Sequence, residues 1–267
     1  MVSTQCTSYT NACLVGTGTT TTGPGQYILP VSPANVFRWR TNCAINPFVP
    51  VEFDLFDSAY NDVLAASSYV EFRKRLTSYN CQKCPRGKAR NHIVIDRGNP
   101  ESKILVVSER PGENEDVLAQ AFVGRSGELL DKIMASIGLD TNRDLLIANV
   151  VKCKAEIDRA PTAHEVEACF PYLRRQIELM KPKVVLLLGA VALKYLVKDR
   201  GDEFSMEQEA GKLFTAPDYP DIHFMVLYHP AFLLRDPTKK AVMWEHVKKL
   251  RAFLQEHGWM AGKQPSP

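Results

Sequence analysis

Four cysteines are spaced as ligands of one inorganic site. Cys81 and Cys84 form a C-x2-C pair, and Cys153 and Cys169 follow further along the chain. A C-x2-C pair places two thiolates on one metal from a single turn, and two more thiolates complete a site for zinc or for an iron–sulfur cluster. Spacing does not separate these two occupants. Taken alone, Cys169 is better explained as a small core residue; the C-x2-C pair is what favours a metal site.

A polar loop with several titratable side chains follows the apolar run at residues 104–107. The loop begins Ser108-Glu109-Arg110-Pro-Gly112 and continues through further acidic residues to a Phe-Val-Gly-Arg-Ser-Gly motif. A buried strand that ends in a polar loop bent by Gly and Pro is typical of the edge where open α/β sheets bind ligands. The sequence therefore predicts a ligand site at the end of this strand.

The chain from Cys81 onward alternates predicted strands with predicted helices. Short apolar runs predict strands at residues 93–95, 104–107, 145–149, 184–188 and 224–228. Apolar residues at helical spacing predict helices at residues 60–76, 127–137, 162–180, 190–197 and 238–257. Strands separated by helices favour a mainly parallel sheet covered on both faces. We therefore expect a three-layer α/β/α fold around a central, mainly parallel, twisted sheet.

The helix predicted at residues 162–180 carries two local signals. Thr162 and Glu165 are spaced as a capping box. Its apolar residues fall on one stripe, namely Val166, Cys169, Phe170, Leu173, Ile177 and Met180. We expect that stripe to face the core.

Composition and charge fit a globular protein with a polyanionic partner. The 267 residues are 45% hydrophobic and 24% charged, with a net charge of +3. The positive excess lies after residue 70, which suits a polyanion-binding face. No apolar run is long enough to span a bilayer, and no Lys or Arg precedes Arg38, so no targeting signal is indicated. We expect a cytoplasmic protein that binds no membrane.

The remaining chain divides by composition. Seven cysteines suit complete disulfide pairing poorly, so Cys6, Cys13 and Cys43 are expected to be free thiols. Ser, Thr, Gly and Asn dominate the start of the chain, which predicts a disordered or loosely packed leader at residues 1–48. The expected organisation continues with a helical lead-in at 49–80, one α/β domain at 81–258 and a flexible tail at 259–267.

Six motifs match one known family in the same order. They are the C-x2-C pair, Glu109-x-Pro-Gly112, Phe122-Val-Gly-Arg-Ser-Gly127, Asn149-Val-Val-Lys-Cys153, Pro161-x3-Glu165-x3-Cys169 and His229-Pro-Ala-Phe-Leu-Leu-Arg235. Over residues 81–258 the sequence resembles the family 4, iron–sulfur type uracil-DNA glycosylases. The resemblance implies a monofunctional glycosylase that flips uracil out of DNA, hydrolyses its N-glycosidic bond and leaves an abasic site for base excision repair.

The resemblance also implies a cofactor and a partner. A [4Fe–4S] cluster would be held by Cys81, Cys84, Cys153 and Cys169, with zinc as the less favoured occupant. The partner would be uracil-containing DNA, single- or double-stranded. We expect a monomer, associated with the nucleoid if the protein is bacterial.

Substrate-binding residues follow from the same motifs. The resemblance implies that Phe122 stacks on the flipped base, that Asn149 recognises uracil, and that Arg110 and Gly112 lie beside the base. From the residues alone, the Asn149 amide offers both a donor and an acceptor to the base. Two plainer interpretations remain open at this point: Phe122 as an apolar plug at the sheet end, and Asn149 as a turn residue.

His229 and one of three carboxylates are predicted to act on the glycosidic bond. His229 follows a predicted strand and could hydrogen-bond uracil O2 as negative charge develops there. Glu109 and Glu115 match acidic positions of the family, as does Asp116, and a carboxylate here could orient water or stabilise an oxocarbenium-like sugar. The sequence does not decide which carboxylate does so.

Six residues are candidates to contact DNA. Leu233 and Leu234 lie in a Pro-bounded segment, and one of them could wedge into the gap left by the flipped base. Arg125 and Arg235 are candidate phosphate contacts, together with Lys239 and Lys240.

Three positions depart from the family pattern. Ser108 stands where the family usually has Gly, Arg110 stands where a small residue is usual, and Asp158 stands where Asn is common. Arg110 could bind phosphate, pair with Glu115 or obstruct the site. These departures bear on efficiency and base preference.

Two alternatives to a uracil-DNA glycosylase are weighed. One is a non-catalytic or altered-specificity DNA-binding relative with the same fold and cluster. The other is the covalent uracil-binding subclass, which carries an added His-containing loop after the third cysteine. Only seven residues separate Cys153 from Pro161 here, with no His among them, so this alternative ranks last.

Overall fold

The computed structural model describes residues 57–197 and 204–260. Its strands are β1 (Asp96–Gly98), β2 (Ile104–Ser108), β3 (Leu145–Asn149), β4 (Val184–Leu188), β5 (Leu213–Ala216) and β6 (Tyr219–Leu227). Its helices are α1 (Ser58–Leu64), α2 (Tyr69–Ser78), α3 (Arg86–Ala89), α4 (Glu113–Leu118), α5 (Arg125–Ser136), α6 (Ala163–Met180), α7 (Ala190–Leu196), α8 (Met206–Glu209), α9 (Pro230–Arg235) and α10 (Lys240–Glu256). The predicted leader, three of the cysteines and most of the predicted tail lie outside the described residues.

The strands form one sheet in the order β1-β3-β2-β4-β6-β5. The four inner strands are parallel to one another. The edge strand β1 is antiparallel to β3, and the edge strand β5 is antiparallel to β6. The predicted three-layer α/β fold with a mainly parallel sheet is confirmed. Because the inner strands share one direction, their carboxyl ends lie along one edge of the sheet, where Ser108 is in register with Asn149.

The inner strands form the core. Every residue of β2, β3 and β4 is buried, as expected for parallel strands covered on both faces. Leu130 and Met134 of α5 and Val247 and Leu250 of α10 share one apolar cluster with these strands. Truncating one such buried Leu typically costs about 2–5 kcal/mol, so this packing holds the sheet edge rigidly.

Strand predictions at 104–107, 145–149 and 184–188 are confirmed, and two others need correction. Residues 93–95 are no strand: Val94 is buried, but its N–H donates to the Lys152 carbonyl at 2.8 Å, and the ladder with β3 begins at Asp96. The residues there are apolar because they are buried, although they do not pair with a strand. The last strand starts at Tyr219 and ends at Leu227, and its hairpin partner β5, half-exposed, has no clear apolar signal.

The helix predicted at 60–76 is two helices. Helix α1 ends at Leu64, and the Ser68 hydroxyl caps α2 by accepting the Glu71 N–H at 3.2 Å. A serine that can cap a new helix competes with continuation of the old one. The other four predicted helices correspond to α5, α6, α7 and α10, with ends shifted by at most two residues.

The capping box of α6 is confirmed, and its apolar stripe is confirmed with one exception. The Thr162 hydroxyl accepts the Glu165 N–H, and the Glu165 carboxylate accepts the Thr162 N–H. Phe170 is only half-buried, whereas Tyr172 and Gln176, which were outside the predicted stripe, are buried.

Helix α2 is joined to the sheet by a buried polar network. The Tyr69 hydroxyl donates to the Asp96 carboxylate at 2.7 Å, and Arg73 forms an ion pair with it at 2.7 Å. The Gln176 amide of α6 donates to the Tyr69 oxygen at 2.7 Å. Phe72 and Leu76 are fully buried next to this network, so α2 is part of the domain core. In the described part of the chain, no helix has the length and apolarity to cross a membrane.

Candidate active site

A cavity of about 900 Å³, called the edge cavity below, opens at the carboxyl ends of the parallel strands. Most of the predicted site residues line it, namely Glu109, Arg110, Gly112, Glu115, Phe122, Arg125, Asn149, His229 and Arg235. They come from four separate chain segments, which the parallel sheet brings to one edge. Cavities at this edge are the usual ligand sites of open α/β folds.

Asn149 is the last residue of β3 and is only 1% exposed. Among the described residues, no group hydrogen-bonds its amide nitrogen or its amide oxygen. A buried amide without partners costs on the order of 1–3 kcal/mol, so its retention needs an explanation. Its backbone carbonyl is held at 2.8 Å by the buried Lys152 ammonium, which fixes the residue while leaving one donor and one acceptor directed at the cavity lining.

Phe122 combines the two interpretations left open by the sequence. The side chain is buried in the apolar cluster and also borders the edge cavity. Its backbone has a φ of 55°, and its ring centroid lies 5.8 Å from that of His229. A Cβ added at Gly127 would lie 1.8 Å from the Phe122 carbonyl oxygen, so the motif needs glycine there. The aromatic ring is thereby fixed at the cavity wall.

Glu115 connects two loops of the site. One carboxylate oxygen accepts the N–H groups of Val123 and Gly124 at 2.9 and 2.8 Å, and the other accepts the Gly112 N–H at 3.0 Å. Asp116 is similarly bound to the N–H groups of Asn91 and His92. Backbone donors therefore occupy two of the three carboxylates that the sequence left as candidates for the reaction.

Arg110 lies at the cavity mouth in an ion pair with Asp158. Its Nε is also 3.4 Å from the Glu109 carboxylate. Of the three alternatives weighed for Arg110, pairing with Glu115 is not the one formed, because Glu115 is held by the loop N–H groups. Two of the three departures from the family pattern thus contact each other across the mouth.

His229 follows β6 and caps helix α9. Its Nδ1 accepts the Ala231 N–H at 3.0 Å, and its Nε2 hydrogen-bonds Ser108 Oγ at 2.9 Å. Burial, and then the positive charges of Arg235 and Arg110, lower the pKa of His229 to about 4. The imidazole is therefore neutral at physiological pH.

The four predicted cysteine ligands border a second, small cavity of about 10 Å³, called the cysteine cavity below. Three of the sulfurs accept hydrogen bonds: Cys169 from the Lys152 N–H at 3.2 Å, Cys81 from the Tyr172 hydroxyl at 3.3 Å and Cys153 from Arg90 at 3.5 Å. Burial raises the pKa of the Cys153 thiol to about 12. Within residues 57–197 and 204–260, no three His, Cys, Asp or Glu side chains are placed to hold a single metal ion.

Comparison with known proteins agrees with the geometry. The model of the uracil DNA glycosylase superfamily matches residues 95–253. The chain belongs to this superfamily. It is 37% identical over 176 residues to the type-4 uracil-DNA glycosylase of Sulfurisphaera tokodaii, covering 64% of this chain and 79% of that protein. The type-4 enzyme of Saccharolobus solfataricus is 36% identical (65% and 82% covered), and that of Thermotoga maritima is 33% identical (67% and 91% covered).

These relatives also identify the branch of the superfamily. Each is at least 33% identical, and the chain covers more than two thirds of each. The resemblance to the family 4 uracil-DNA glycosylases is therefore confirmed.

Among the residues predicted to contact DNA, the two leucines differ. Leu233 is 0% exposed and belongs to the apolar cluster, whereas Leu234 is 37% exposed. The prediction that Leu233 contacts DNA is wrong, because α9 turns consecutive side chains to different faces. Arg125 and Arg235 are exposed at the rim of the edge cavity.

Lys152 has a larger role than the sequence indicates. Its ammonium is completely buried and bonds the Asn149 carbonyl and the Gln176 amide oxygen, while its N–H donates to Cys169. Burial lowers its pKa to about 8. In the sequence, Lys152 is only one of several basic residues around the cysteines, and its position inside the Asn149–Cys153 motif is the one signal that could have identified it.

Proposed function

We propose that this protein is a monofunctional uracil-DNA glycosylase acting in base excision repair, as its relatives' names indicate. The observation that carries the proposal is the buried Asn149 amide, which has no partner among the described residues and lines the edge cavity. A neighbouring acceptor and donor on the uracil O4 and N3–H edge would satisfy both of its atoms. Thymine shares this edge and differs from uracil by a methyl group, so hydrogen bonds to Asn149 alone do not discriminate between the two bases.

The base would leave the DNA stack and enter the edge cavity. Phe122 stacks on one face of the ring, and Gly112 and Arg110 lie beside it. Because Asn149 and Phe122 are buried and fixed by their backbones, they bind the base with little loss of side-chain entropy.

Bond cleavage transfers the glycosidic electron pair to the base, and a water oxygen bonds to C1′. His229 donates from Nε2 to uracil O2, where negative charge develops. A neutral imidazole suits this role, because its one N–H can donate a hydrogen bond without the ring carrying a charge. Glu109, whose carboxylate lines the cavity without backbone partners in the described chain, orients the water and receives its proton.

DNA contacts would surround the cavity mouth. Leu234 wedges into the gap left by the base, and Arg125 and Arg235 bind phosphates. Both single- and double-stranded substrates fit this scheme. That the protein is monomeric and acts in the cytoplasm stays a prediction.

Cys81, Cys84, Cys153 and Cys169 would hold a [4Fe–4S] cluster. The all-thiolate donor set and the three hydrogen bonds to sulfur fit such a group, since donors to sulfur stabilise the cluster's negative charge. When bound, the cluster supplies structural cross-linking of three chain segments. Residues of the edge cavity perform every step of the reaction.

Base release from a panel of oligonucleotides containing uracil, hypoxanthine or xanthine tests the proposal. We expect release of uracil, and Asn149→Ala should lower its rate about 100-fold or more, since a site built to hydrogen-bond its ligand loses most of its discrimination without the polar group. Asn142→Ala, at an exposed asparagine, is the matched control.

DNA binding without release of any base would instead support the non-catalytic relative. Release of another base in preference to uracil would support altered specificity. Uracil release that is unaffected by Asn149→Ala would contradict the assigned pocket.

A further inference from the structure

The direction of the hydrogen bond between His229 and Ser108 follows from geometry alone. A backbone N–H can only donate, so His229 Nδ1, which accepts from Ala231 at 3.0 Å, carries no hydrogen. The single hydrogen of the neutral ring is therefore on Nε2. Nε2 lies 2.9 Å from Ser108 Oγ, and so the imidazole donates and the serine accepts.

Ser108 lies buried beneath the site. It is the last residue of β2, is 0% exposed and lies in register with Asn149. It does not line the edge cavity itself. Because Ser108 does not border the cavity and its hydroxyl is bonded to His229 Nε2, any effect of Ser108 on the reaction passes through His229.

We propose that Ser108 is a positioning residue that competes with the base for the His229 Nε2 hydrogen. This inference rests on the proposed function. In the DNA-free protein the Nε2 hydrogen is bonded to Ser108, and the departing base must draw it away. A neutral carbonyl oxygen gains little over a hydroxyl as acceptor, whereas the oxygen of a departing anion forms a stronger, charge-assisted bond. Ser108 thus restricts the His229 hydrogen bond to the transition state and slows the chemical step.

The test removes the hydroxyl. Ser108→Ala is expected to raise the single-turnover rate of uracil release about two- to tenfold. This is the range for one neutral hydrogen bond, because the variant has no bond between His229 and residue 108 to break in the transition state. The dissociation constant for DNA should stay unchanged, because Ser108 touches neither base nor phosphate. Ser102→Ala, two residues before the start of β2, is the matched control, since Ser102 Oγ donates to the Ile104 carbonyl at 3.1 Å and lies outside the site.

A second measurement needs no activity. In the ¹H–¹⁵N NMR spectrum of the DNA-free protein, His229 should show a protonated Nε2 and an unprotonated Nδ1. The Nε2–H signal should shift upfield and exchange faster in Ser108→Ala, and Ser108→Thr, which keeps the hydroxyl, should retain the wild-type signal. A hydrogen on Nδ1, or an Nε2–H signal unchanged by Ser108→Ala, would overturn the inference.

The two measurements separate the inference from the proposed function. A wild-type protein that releases no uracil contradicts the function but leaves the NMR result to decide on the hydrogen bond. An active wild type whose rate falls or stays constant in Ser108→Ala, in a protein with unchanged melting temperature, contradicts the competition.

Discussion

The edge cavity and the cysteine cavity differ in how their polar atoms are satisfied. In the edge cavity, of about 900 Å³, neither amide atom of Asn149 has a partner in the described chain. Around the cysteine cavity, of about 10 Å³, three of the four sulfurs already accept hydrogen bonds. An unpaired buried amide costs free energy until a ligand binds. The first region is suited to a ligand that enters and leaves, and the second to one that stays.

The largest effect is expected from removing one of the cysteine ligands of the proposed cluster. Cys153→Ser should remove the visible iron–sulfur absorbance and lower the melting temperature by at least ~10 °C, because structural metal sites contribute on the order of 10 kcal/mol to folding and each kcal/mol is worth roughly 2–4 °C in a domain of this size. Absorbance spectra, iron analysis and thermal unfolding measure it.

Cys43→Ser, outside the four ligands, is the control and should change none of these quantities. A colourless wild-type protein with one equivalent of zinc would contradict the cluster. A Cys153→Ser protein that keeps its iron and its melting temperature would contradict the ligand set.

A smaller effect is expected where the two regions meet. Lys152→Met keeps most of the buried side-chain volume but removes the bonds to the Asn149 carbonyl and to Gln176. We expect uracil release to slow about tenfold, because the free energy of a lost buried hydrogen bond is about 1–1.5 kcal/mol, while the iron content stays at the wild-type level. Lys248→Met, on exposed α10 surface, is the control. Equal rates of uracil release in wild type and Lys152→Met would show that Lys152 does not couple the cysteine cavity to the edge cavity.

The smallest effect concerns pH and tests the edge cavity alone. The pKa of His229 is about 4, mainly because of burial, whereas an unfolded histidine titrates near pH 6.5. The unfolded state therefore binds more protons between these values, and the stability that His229 contributes is complete above pH 6.5 and is lost as the pH falls toward 4. The single-turnover rate should show no inflection from His229 near pH 6.5 and should decline only near pH 4.

Rate–pH profiles and urea unfolding from pH 4 to 8 measure both quantities. His229→Gln, which cannot titrate, is the reference for the unfolding series. A wild-type rate that halves near pH 6.5, absent in the variant, would show that the imidazole works as a cation.

Residues close in sequence were predictable, and contacts between distant segments were not. Strands β2, β3 and β4 have continuous apolar runs, and the six motifs identify about half of the residues that line the edge cavity. The bond from His229 to Ser108 joins residues 121 positions apart, and the ion pair of Arg110 with Asp158 joins residues 48 apart. No local pattern encodes such pairs. The sequence identified Arg110 and Asp158 as separate departures from the family pattern. Only the folded chain brings them together at the mouth of the edge cavity.

The errors have similar physical causes. Leu233 and Leu234 are indistinguishable as residue types, and the helical phase of α9 decides which one is exposed. The run at residues 93–95 is apolar because it is buried, yet the antiparallel ladder starts one residue later. Glu115 is a different case: its catalytic use stays a prediction, and the contact that the sequence did not reveal is that three backbone N–H groups bond its carboxylate.

The bond between Tyr69 and Asp96 has a consequence for where the chain can be shortened. The family match begins at residue 95, which invites truncation just before it. Such a fragment would leave the Asp96 carboxylate without Tyr69 and Arg73, and would expose the surface that Phe72 and Leu76 cover. The smallest piece expected to fold independently must therefore start upstream of α2, well outside the stretch by which the family is recognised.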